Sequence, residues 1–147
     1  MMNICTTRFG TLSVDVDDVI RFPDGLPGLE ECCRWVLVSD AESDAIAWLQ
    51  SVERDDVALA VASPRRFVPA YQIRVARREL EPLDLDCVEA VQVLVVLCKT
   101  EKSITLNLKA PLLINPNRRL GRQVVTNSEL PVQYELGGDL PTLRKSA

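Results

Sequence analysis

The chain has 147 residues, the length of one ordinary domain, with a net charge of -4 and no histidine. Because histidine is the side chain that titrates near neutral pH and the commonest metal ligand, its absence excludes triad hydrolases and histidine-dependent metal enzymes. The charge is uneven, since residues 1–60 hold twelve acids and four arginines, whereas residues 61–147 hold nine acids and thirteen lysines or arginines.

The amino-terminal stretch MMNICTTRFGTLSVDVDD lacks the charged head, long apolar run and small-residue cleavage site of a secretory signal. No later run reaches about 18 uninterrupted apolar residues, the length that a membrane-spanning helix needs. We therefore expect a soluble protein that stays in the cytoplasm and has no membrane partner.

The first predicted strand lies within Thr11–Phe22, where apolar and polar residues alternate at the period of a half-buried strand. The stretch FPDGLPGLEE follows, and its two prolines and two glycines require the chain to turn. Two interpretations of this stretch stay open. It is a tight turn out of the strand, or it is a stiff exposed loop that presents Phe22 and Leu26 to a partner.

Three further strands are predicted from runs rich in valine, isoleucine, leucine and tryptophan. They are Arg34–Asp40, Ala45–Val52 and Val57–Ser63. Trp35 and Trp48 are expected in the core. The loops between these strands are acidic, and we take Asp55 and Asp56, together with Asp17, as candidate contacts for a basic protein partner. The alternative is that these acids only keep the loops solvated.

Pro64 and Pro69 interrupt the strand series, and alternation resumes in Gln72–Arg77, which predicts an edge strand. Tyr71 is predicted to lie at the surface as a partner contact, because its ring has an apolar face and a polar hydroxyl. The stretch Arg77–Val91 has loosely helical spacing, but its internal proline limits any helix to a turn or two.

The nearly continuous apolar stretch Val91–Thr100 predicts a central strand that is covered on both faces. Ser103–Ala110 alternates cleanly and predicts another strand, which Pro111 ends. The last two strands, PLLIN and GRQVVT, flank a loop that Asn115 opens and Gly121 closes.

Three side-chain amides stand among the apolar residues of these last strands. Asn107 and Gln123 either tie backbone groups across strands, since amides offer donors and acceptors without charge, or contact a partner. Asn115 precedes a proline and either shapes the turn through its own side chain or touches a partner. We take all three amides and Pro111 as candidate partner-binding residues.

Eight or nine short strands with one or two short helical turns predict a mostly β protein. The sheet must curl or close to hide its edges, so the expected architecture is a small antiparallel, partly closed β-barrel. Residues 1–136 are expected to form a single barrel domain. Residues 137–147, rich in glycine, proline and charge, are expected to form a disordered tail.

Catalytic chemistry has little support in the residues present. No glycine-rich phosphate loop or nucleophile elbow occurs, and adjacent acids on turns are ordinarily solvated and ionised. Five cysteines without a C-x-x-C pair are expected to be reduced and mostly buried, with no metal site. We therefore predict a protein-binding module that is not an enzyme and needs no cofactor.

An alternative function is an RNA-binding barrel that uses a cluster of five arginines. They are Arg65, Arg66, Arg74, Arg77 and Arg78. Phe67 and Tyr71 lie near this cluster, but aromatic residues make up only 5% of the chain, whereas stacking platforms usually need several on one face. Direct binding to nucleic acid is therefore not expected.

Four stretches stand out when the chain is viewed as a whole: RFPDGLPGLEE, WLQSVE, FVPAY, and NLKAPLLIN followed by GRQVV. The resemblance that they carry extends over residues 8 to about 134, and the last stretch is the most specific. In this ordered set the chain resembles the flagellar assembly factor FliW family. Leu29 and Ala70 depart from the pattern, because the family usually has phenylalanine and an acidic residue at these positions.

The resemblance implies a small β-barrel-like cytoplasmic protein of flagellated bacteria that binds newly made flagellin. It also implies binding to the carbon storage regulator CsrA, an RNA-binding translational repressor, with flagellin and CsrA competing for the same protein. When flagellin is exported, the freed factor would capture CsrA and relieve repression of flagellin messenger RNA.

Overall fold

The computed structural model describes residues 1–101 and 103–136, so the predicted tail, residues 137–147, lies outside the described part. The strands are β1 (Met2–Thr6), β2 (Gly10–Val14), β3 (Ile20–Arg21), β4 (Arg34–Ser39), β5 (Ala47–Ser51), β6 (Ala58–Ala62), β7 (Gln92–Lys99), β8 (Ile104–Leu106), β9 (Leu112–Asn115), β10 (Leu120–Gln123) and β11 (Tyr134–Glu135). The one α-helix in these residues is α1 (Arg77–Leu80). Short 3₁₀ turns lie at Val16–Asp18, Pro64–Arg66, Glu81–Leu83 and Val88–Ala90.

Seven of these strands close a barrel in the order β7, β6, β5, β4, β3, β10, β9 and back to β7. Neighbouring strands are antiparallel except β3 and β10, which run parallel with Leu120 opposite Arg21. Closure pairs strand edges that an open sheet would expose. The predicted mostly β barrel is confirmed. The strand count exceeds eight or nine because Thr11–Phe22 divides into β2 and β3 and because β1 and β11 are additional.

Strand β7 is the centre of the sheet, as predicted. Its first half pairs with β9, its second half pairs with β8, and β6 lies along its other side. Strand β11 extends the sheet beyond β8. The middle residues Leu94 and Val95 are both buried although they face opposite sides of the strand, which explains the continuous apolar pattern.

The barrel interior is filled by apolar side chains from all around the ring. Its buried members are Ile20, Phe22, Leu26, Cys32, Trp35, Leu49, Val61, Leu94, Leu112 and Ile114. Phe22 and Trp35 pack edge to face with ring centroids 6.5 Å apart. Two more apolar clusters cover the outside of the barrel, one around Trp48 and Tyr71 and a smaller one around Leu113. The expectation that both tryptophans lie in the core is confirmed.

Strands β1 and β2 form a separate two-stranded hairpin in which Thr6 lies opposite Gly10. The hairpin tip attaches to the barrel because the Thr7 N–H donates to the Asp55 carbonyl at 2.8 Å. Phe9 also packs edge to face on Trp48, with ring centroids 6.1 Å apart. The tip is therefore fixed against the outer face of β5.

The predicted edge strand at Gln72–Arg77 is wrong. Residues 72–76 have no strand partner in the described chain, and Arg77 begins α1. Ile73 and Val75 nevertheless pack against the outer clusters, which accounts for the alternation in the sequence. Alternation therefore arises here from one face lying on the barrel and not from strand pairing.

The helical segment is short, as predicted. Helix α1 has four residues and continues into a 3₁₀ turn that contains Pro82, where the missing N–H prevents a longer helix. None of the helices in residues 1–101 and 103–136 is a candidate for a membrane span.

The five cysteines are free thiols, but the expectation that they are mostly buried is wrong. Cys32 lies in the barrel interior and Cys33 is half-buried. Cys5, Cys87 and Cys98 are exposed. Cys5 is exposed because alternate residues of β1 face solvent, whereas its neighbours Ile4 and Thr6 are buried.

Candidate functional site

Two loops meet at one end of the barrel and give it a negative charge. The loop of residues 22–33 connects β3 to β4, and the loop of residues 52–57 connects β5 to β6. They meet where an Arg54 guanidinium nitrogen lies 3.4 Å from Glu31 Oε1. We call these two loops the acidic end. Its acids are Asp24, Glu30, Glu31, Glu53, Asp55 and Asp56.

Two arginines organise part of this charge. Arg34 Nε lies 2.6 Å from Glu53 Oε2, and Arg54 lies between Glu31 and Asp56 at 3.4 and 3.2 Å. Partial burial raises the pKa of Glu53, but the Arg34 hydrogen bonds and charge together hold that pKa below its ordinary value. Glu53 is therefore ionised at neutral pH, and the acidic end keeps its negative charge.

The loop of residues 52–57 is held rigid by a buried amide that the sequence analysis missed. Gln50 is wholly buried, and its Nε2 donates to the carbonyls of Ser51, Arg54 and Asp55 at 2.9, 3.3 and 3.4 Å. The Ser51 hydroxyl also accepts the Arg54 N–H at 3.0 Å. A glutamine inside the apolar run AIAWLQSV was the available signal. Asp55 and Asp56 consequently project from a fixed turn, and both are exposed.

Phe22 and Leu26 are buried and are not presented on an exposed loop. Their exposed fractions are 0% and 3%, so that interpretation of FPDGLPGLEE is wrong. The tight-turn interpretation is confirmed, because the Gly25 N–H donates to the Phe22 carbonyl at 2.8 Å and Leu26 bridges to Leu29. Gly25 has a φ of +65°, which a residue with a side chain rarely adopts.

Gly121 allows Phe22 to occupy the barrel interior. A Cβ at position 121 would lie 2.5 Å from Cζ and 2.7 Å from Cε1 of the Phe22 ring. The loop that Gly121 was expected to close ends at Arg119, just before β10 begins. Arg119 is the residue with positive φ, at 54°, and Gly121 already lies in β10.

Asn115 holds two turns together from a buried position. Its Nδ2 donates to the carbonyls of Leu83 and Asp84 at 2.8 and 3.1 Å. Its Oδ1 accepts the N–H groups of Asn117 and Arg118 at 3.0 and 3.3 Å. With 2% exposure, Asn115 shapes its own turn, and it is not available for direct contact with a partner in this conformation.

The side chains of Asn107 and Gln123 both form hydrogen bonds with the backbone of Ala110. The Ala110 N–H donates to Asn107 Oδ1 at 3.0 Å, and Gln123 Nε2 donates to the Ala110 carbonyl at 2.9 Å. The next residue, Pro111, is buried. The Gln123 contact matches the structural alternative, in which an amide ties backbone groups across strands, whereas the Asn107 contact is local to the turn of residues 107–110.

Asp17 is exposed and belongs to neither loop of the acidic end. It belongs to the 3₁₀ turn that follows β2, near Val14, which pairs with Met2. The opposite end of the same hairpin contacts Asp55. The structure therefore places Asp55 and Asp56 in one loop and Asp17 in a different turn.

Tyr71 is buried, so its predicted surface position is wrong. Its exposed fraction is 5%, and its hydroxyl donates to the Leu108 carbonyl at 2.7 Å. Arg65 Nε donates to the Tyr71 carbonyl at 3.1 Å, which fixes the backbone of FVPAY as well. Burial raises the pKa of the Tyr71 hydroxyl to about 12.

The raised pKa of Tyr71 predicts a loss of stability in alkali. The ordinary pKa of a tyrosine hydroxyl is 10.0, so as the pH rises the unfolded chain releases this proton before the folded protein does. The free energy of unfolding is therefore expected to be highest below pH 10 and to fall as the pH rises from 10 to about 12.

Tyrosinate absorbance near 295 nm, recorded with tryptophan fluorescence over the same pH range, measures this effect. Tyr71→Phe should remove the component that titrates near pH 12. Ionisation of Tyr71 near pH 10 in a protein that stays folded would contradict the assignment.

The arginine cluster that suggested RNA binding is exposed, but no stacking platform accompanies it. All five arginines lie at the surface. Tyr71 is buried and Phe67 is half-buried against the outer cluster, so neither ring offers an open face for bases. The structure therefore gives the RNA-binding alternative no added support.

Within the described residues, no group of three or more cysteine, aspartate or glutamate side chains is placed to hold a metal ion. The candidate residues divide into buried hydrogen-bonding groups that fix loops and exposed acids that those loops carry. Such an arrangement suits association with a protein surface, because rigid loops lose little conformational entropy on docking.

Comparisons with known proteins agree along nearly the whole chain. The family model described as "FliW protein" matches residues 3–136. The flagellar assembly factor FliW of Natranaerobius thermophilus is 35% identical over 99% of this chain and 99% of its own length. The corresponding protein of Thermoanaerobacter pseudethanolicus is 31% identical over 99% of this chain and 100% of its own length.

A solved structure is similar as well. The crystal structure of the flagellar assembly factor FliW superimposes with a TM-score of 0.84 and 30% sequence identity. The match covers 91% of this chain and 96% of that protein.

Proposed function

This chain belongs to the FliW family of flagellar assembly factors, and on that premise we propose that it binds flagellin and, when free, binds and antagonises CsrA. Binding takes place in the cytoplasm and involves no chemical step. Flagellin that accumulates occupies the protein and leaves CsrA free to repress. When flagellin is exported, the protein captures CsrA, so translation of flagellin follows demand.

The observation that carries this proposal is the family match over residues 3–136. The same range supports a single binding domain of residues 1–136. The arrangement of the barrel is consistent with a binder, since buried amides such as Asn115 and Gln50 fix loops that would otherwise lose entropy on docking.

We further propose that the acidic end is a contact surface for a basic face of a partner. Asp55 and Asp56 are exposed on a turn that Gln50 holds in place. Asp55 forms no ion pair with any residue that the structure describes, whereas Asp56 shares Arg54 with Glu31. Exposed, preoriented carboxylates accelerate encounter with a positively charged surface.

The double variant Asp55→Asn with Asp56→Asn tests this contact. Stopped-flow mixing with purified flagellin or CsrA should show an association rate that is lower by about fivefold at low salt and less dependent on salt. Asp17→Asn is the matched control, because Asp17 is an exposed acid that belongs to neither loop of the acidic end. Equal rates for the double variant and the wild type with both partners would rule out the acidic end as the contact.

A further inference from the structure

A groove lies on the outside of the barrel between the segment after β6 and the start of β7. Its volume is about 850 Å³, within the range of roughly 300–1,000 Å³ that is usual for ligand pockets. Pro64, Ile73, Val88 and Val93 contribute apolar surface to it. Val88 is unusual for an apolar residue because 59% of its surface is exposed.

One wall of the groove is an unpaired edge of β7. The Asn107 N–H donates to the Val96 carbonyl, so even-numbered β7 residues direct their backbone groups towards β8 and β9. Odd-numbered residues face β6, where Val95 lies opposite Ala62. Continuing this register places Val93 opposite Pro64, which has no N–H.

The Pro64 carbonyl does not complete the pairing either. It accepts the N–H groups of Phe67 and Val68 at 3.1 and 2.8 Å in the 3₁₀ turn. Because β6 ends at Ala62 and Pro64 offers neither a donor nor a free acceptor, the register leaves the N–H and carbonyl of Val93 without a backbone partner on this side, where Val93 lines the groove. This is the edge geometry to which an extended peptide adds as a strand.

The other wall is the extended segment of residues 72–75. Its Ile73 and Val75 side chains pack on the barrel. Within the described residues, this segment forms one hydrogen bond to another backbone group, in which the Asn127 N–H donates to the Arg74 carbonyl at 2.7 Å. A strand-like sequence without a strand partner therefore lines the groove opposite the unpaired edge of β7.

The rim of the groove carries arginines that form no ion pair with any residue that the structure describes. Arg65 and Arg74 both line the groove, are exposed and form no ion pair. Arg77 and Arg78 on the adjoining helix α1 are also exposed and without an ion pair. Glu89 is the acid among the lining residues, so the net charge of the rim is positive.

We propose that this groove binds an extended, acidic peptide segment of a partner protein, which adds as a short strand along the Val93 edge of β7. Alternate apolar side chains of the peptide rest on the floor around Ile73 and Val88. A carboxylate of the peptide lies between Arg65 and Arg74. The site is separate from the acidic end, and it does not depend on whether flagellin or CsrA is the protein bound there.

The test uses the full chain and a short fluorescent peptide in which valine alternates with threonine and glutamate stands at both ends. Fluorescence anisotropy should give saturable binding with a Kd below about 1 mM. Arg74→Glu should weaken binding about tenfold, because it replaces an attractive charge with a repulsive one. Arg21→Glu is the matched control, since Arg21 is exposed, forms no ion pair and lies on β3.

Two further readouts separate strand addition from nonspecific attraction. Hydrogen exchange at the Val93 amide should slow when the peptide is bound. The same peptide with alternate backbone amides methylated should not bind, because it cannot pair as a strand. The proposal is overturned by any of three results: no saturable binding up to about 1 mM, equal binding of the methylated peptide, or stronger Arg74-dependent binding of single-stranded RNA.

Discussion

Substituting alanine for Gly121 is expected to lower the free energy of unfolding by about 3 kcal/mol. The new Cβ would lie 2.5 Å from Cζ of Phe22, a distance that real side chains do not tolerate. Phe22 cannot move away cheaply, because it is wholly buried and packs edge to face on Trp35 in the barrel interior. Overpacking of this kind forces shifts in side chains and backbone. Urea unfolding followed by tryptophan fluorescence measures the loss.

Phe22→Leu tests whether the Phe22 ring causes this loss of stability. Phe22→Leu removes the ring atoms nearest to position 121, at its own cost of about 1–2 kcal/mol for lost packing. In the double variant, the penalty of Gly121→Ala should be largely relieved, which gives a positive coupling between the two positions. Strict additivity of the two losses would show that the Phe22 ring is not the obstacle.

Asn115→Ala is expected to destabilise the protein by about 3 kcal/mol. The variant loses hydrogen bonds to the carbonyls of Leu83 and Asp84 and to the N–H groups of Asn117 and Arg118. The two N–H groups lie in an exposed turn and regain water, but the Leu83 carbonyl belongs to a buried residue. Most of the loss in stability therefore comes from the backbone carbonyls that no longer receive a hydrogen bond from Asn115 Nδ2.

Asn117→Ala is the matched control, because Asn117 is exposed in the same turn and should change stability by no more than about 0.5 kcal/mol. Asn115→Asp adds a sharper comparison. It keeps the Oδ1 acceptor but places a carboxylate oxygen against two carbonyls, so it should be at least as damaging as alanine. Chemical unfolding that gave equal stability for Asn115→Ala and Asn117→Ala would contradict the role assigned to Asn115.

The fold class followed from the sequence because local patterns specify it. The continuous apolar run Val91–Thr100 predicts a strand covered on both faces, and β7 does bury Leu94 in the barrel interior and Val95 in the outer cluster around Trp48 and Tyr71. The prolines and glycines of FPDGLPGLEE predict a turn, and Gly25 and Gly28 do adopt positive φ. In both cases the signal depends on backbone chemistry within a few residues.

The candidate site was harder to predict because its contacts join residues that are far apart in the chain. The polar hydroxyl of Tyr71 suggested a surface position, but this hydroxyl donates to the Leu108 carbonyl, 37 positions away. Asn115 signalled a local turn, while its link to Leu83, 32 positions away, depends on the closed barrel. Buried amides and exposed amides look alike in a sequence, since only the fold decides which backbone groups they meet.

We propose that this protein acts by reversible association with flagellin and CsrA, which exclude each other. Size-exclusion chromatography of a preformed complex with purified CsrA, before and after addition of flagellin, measures this exclusion. We expect that flagellin releases CsrA and elutes in its place with the protein. A stable assembly that contains all three proteins, or a CsrA complex that flagellin leaves intact, would contradict it.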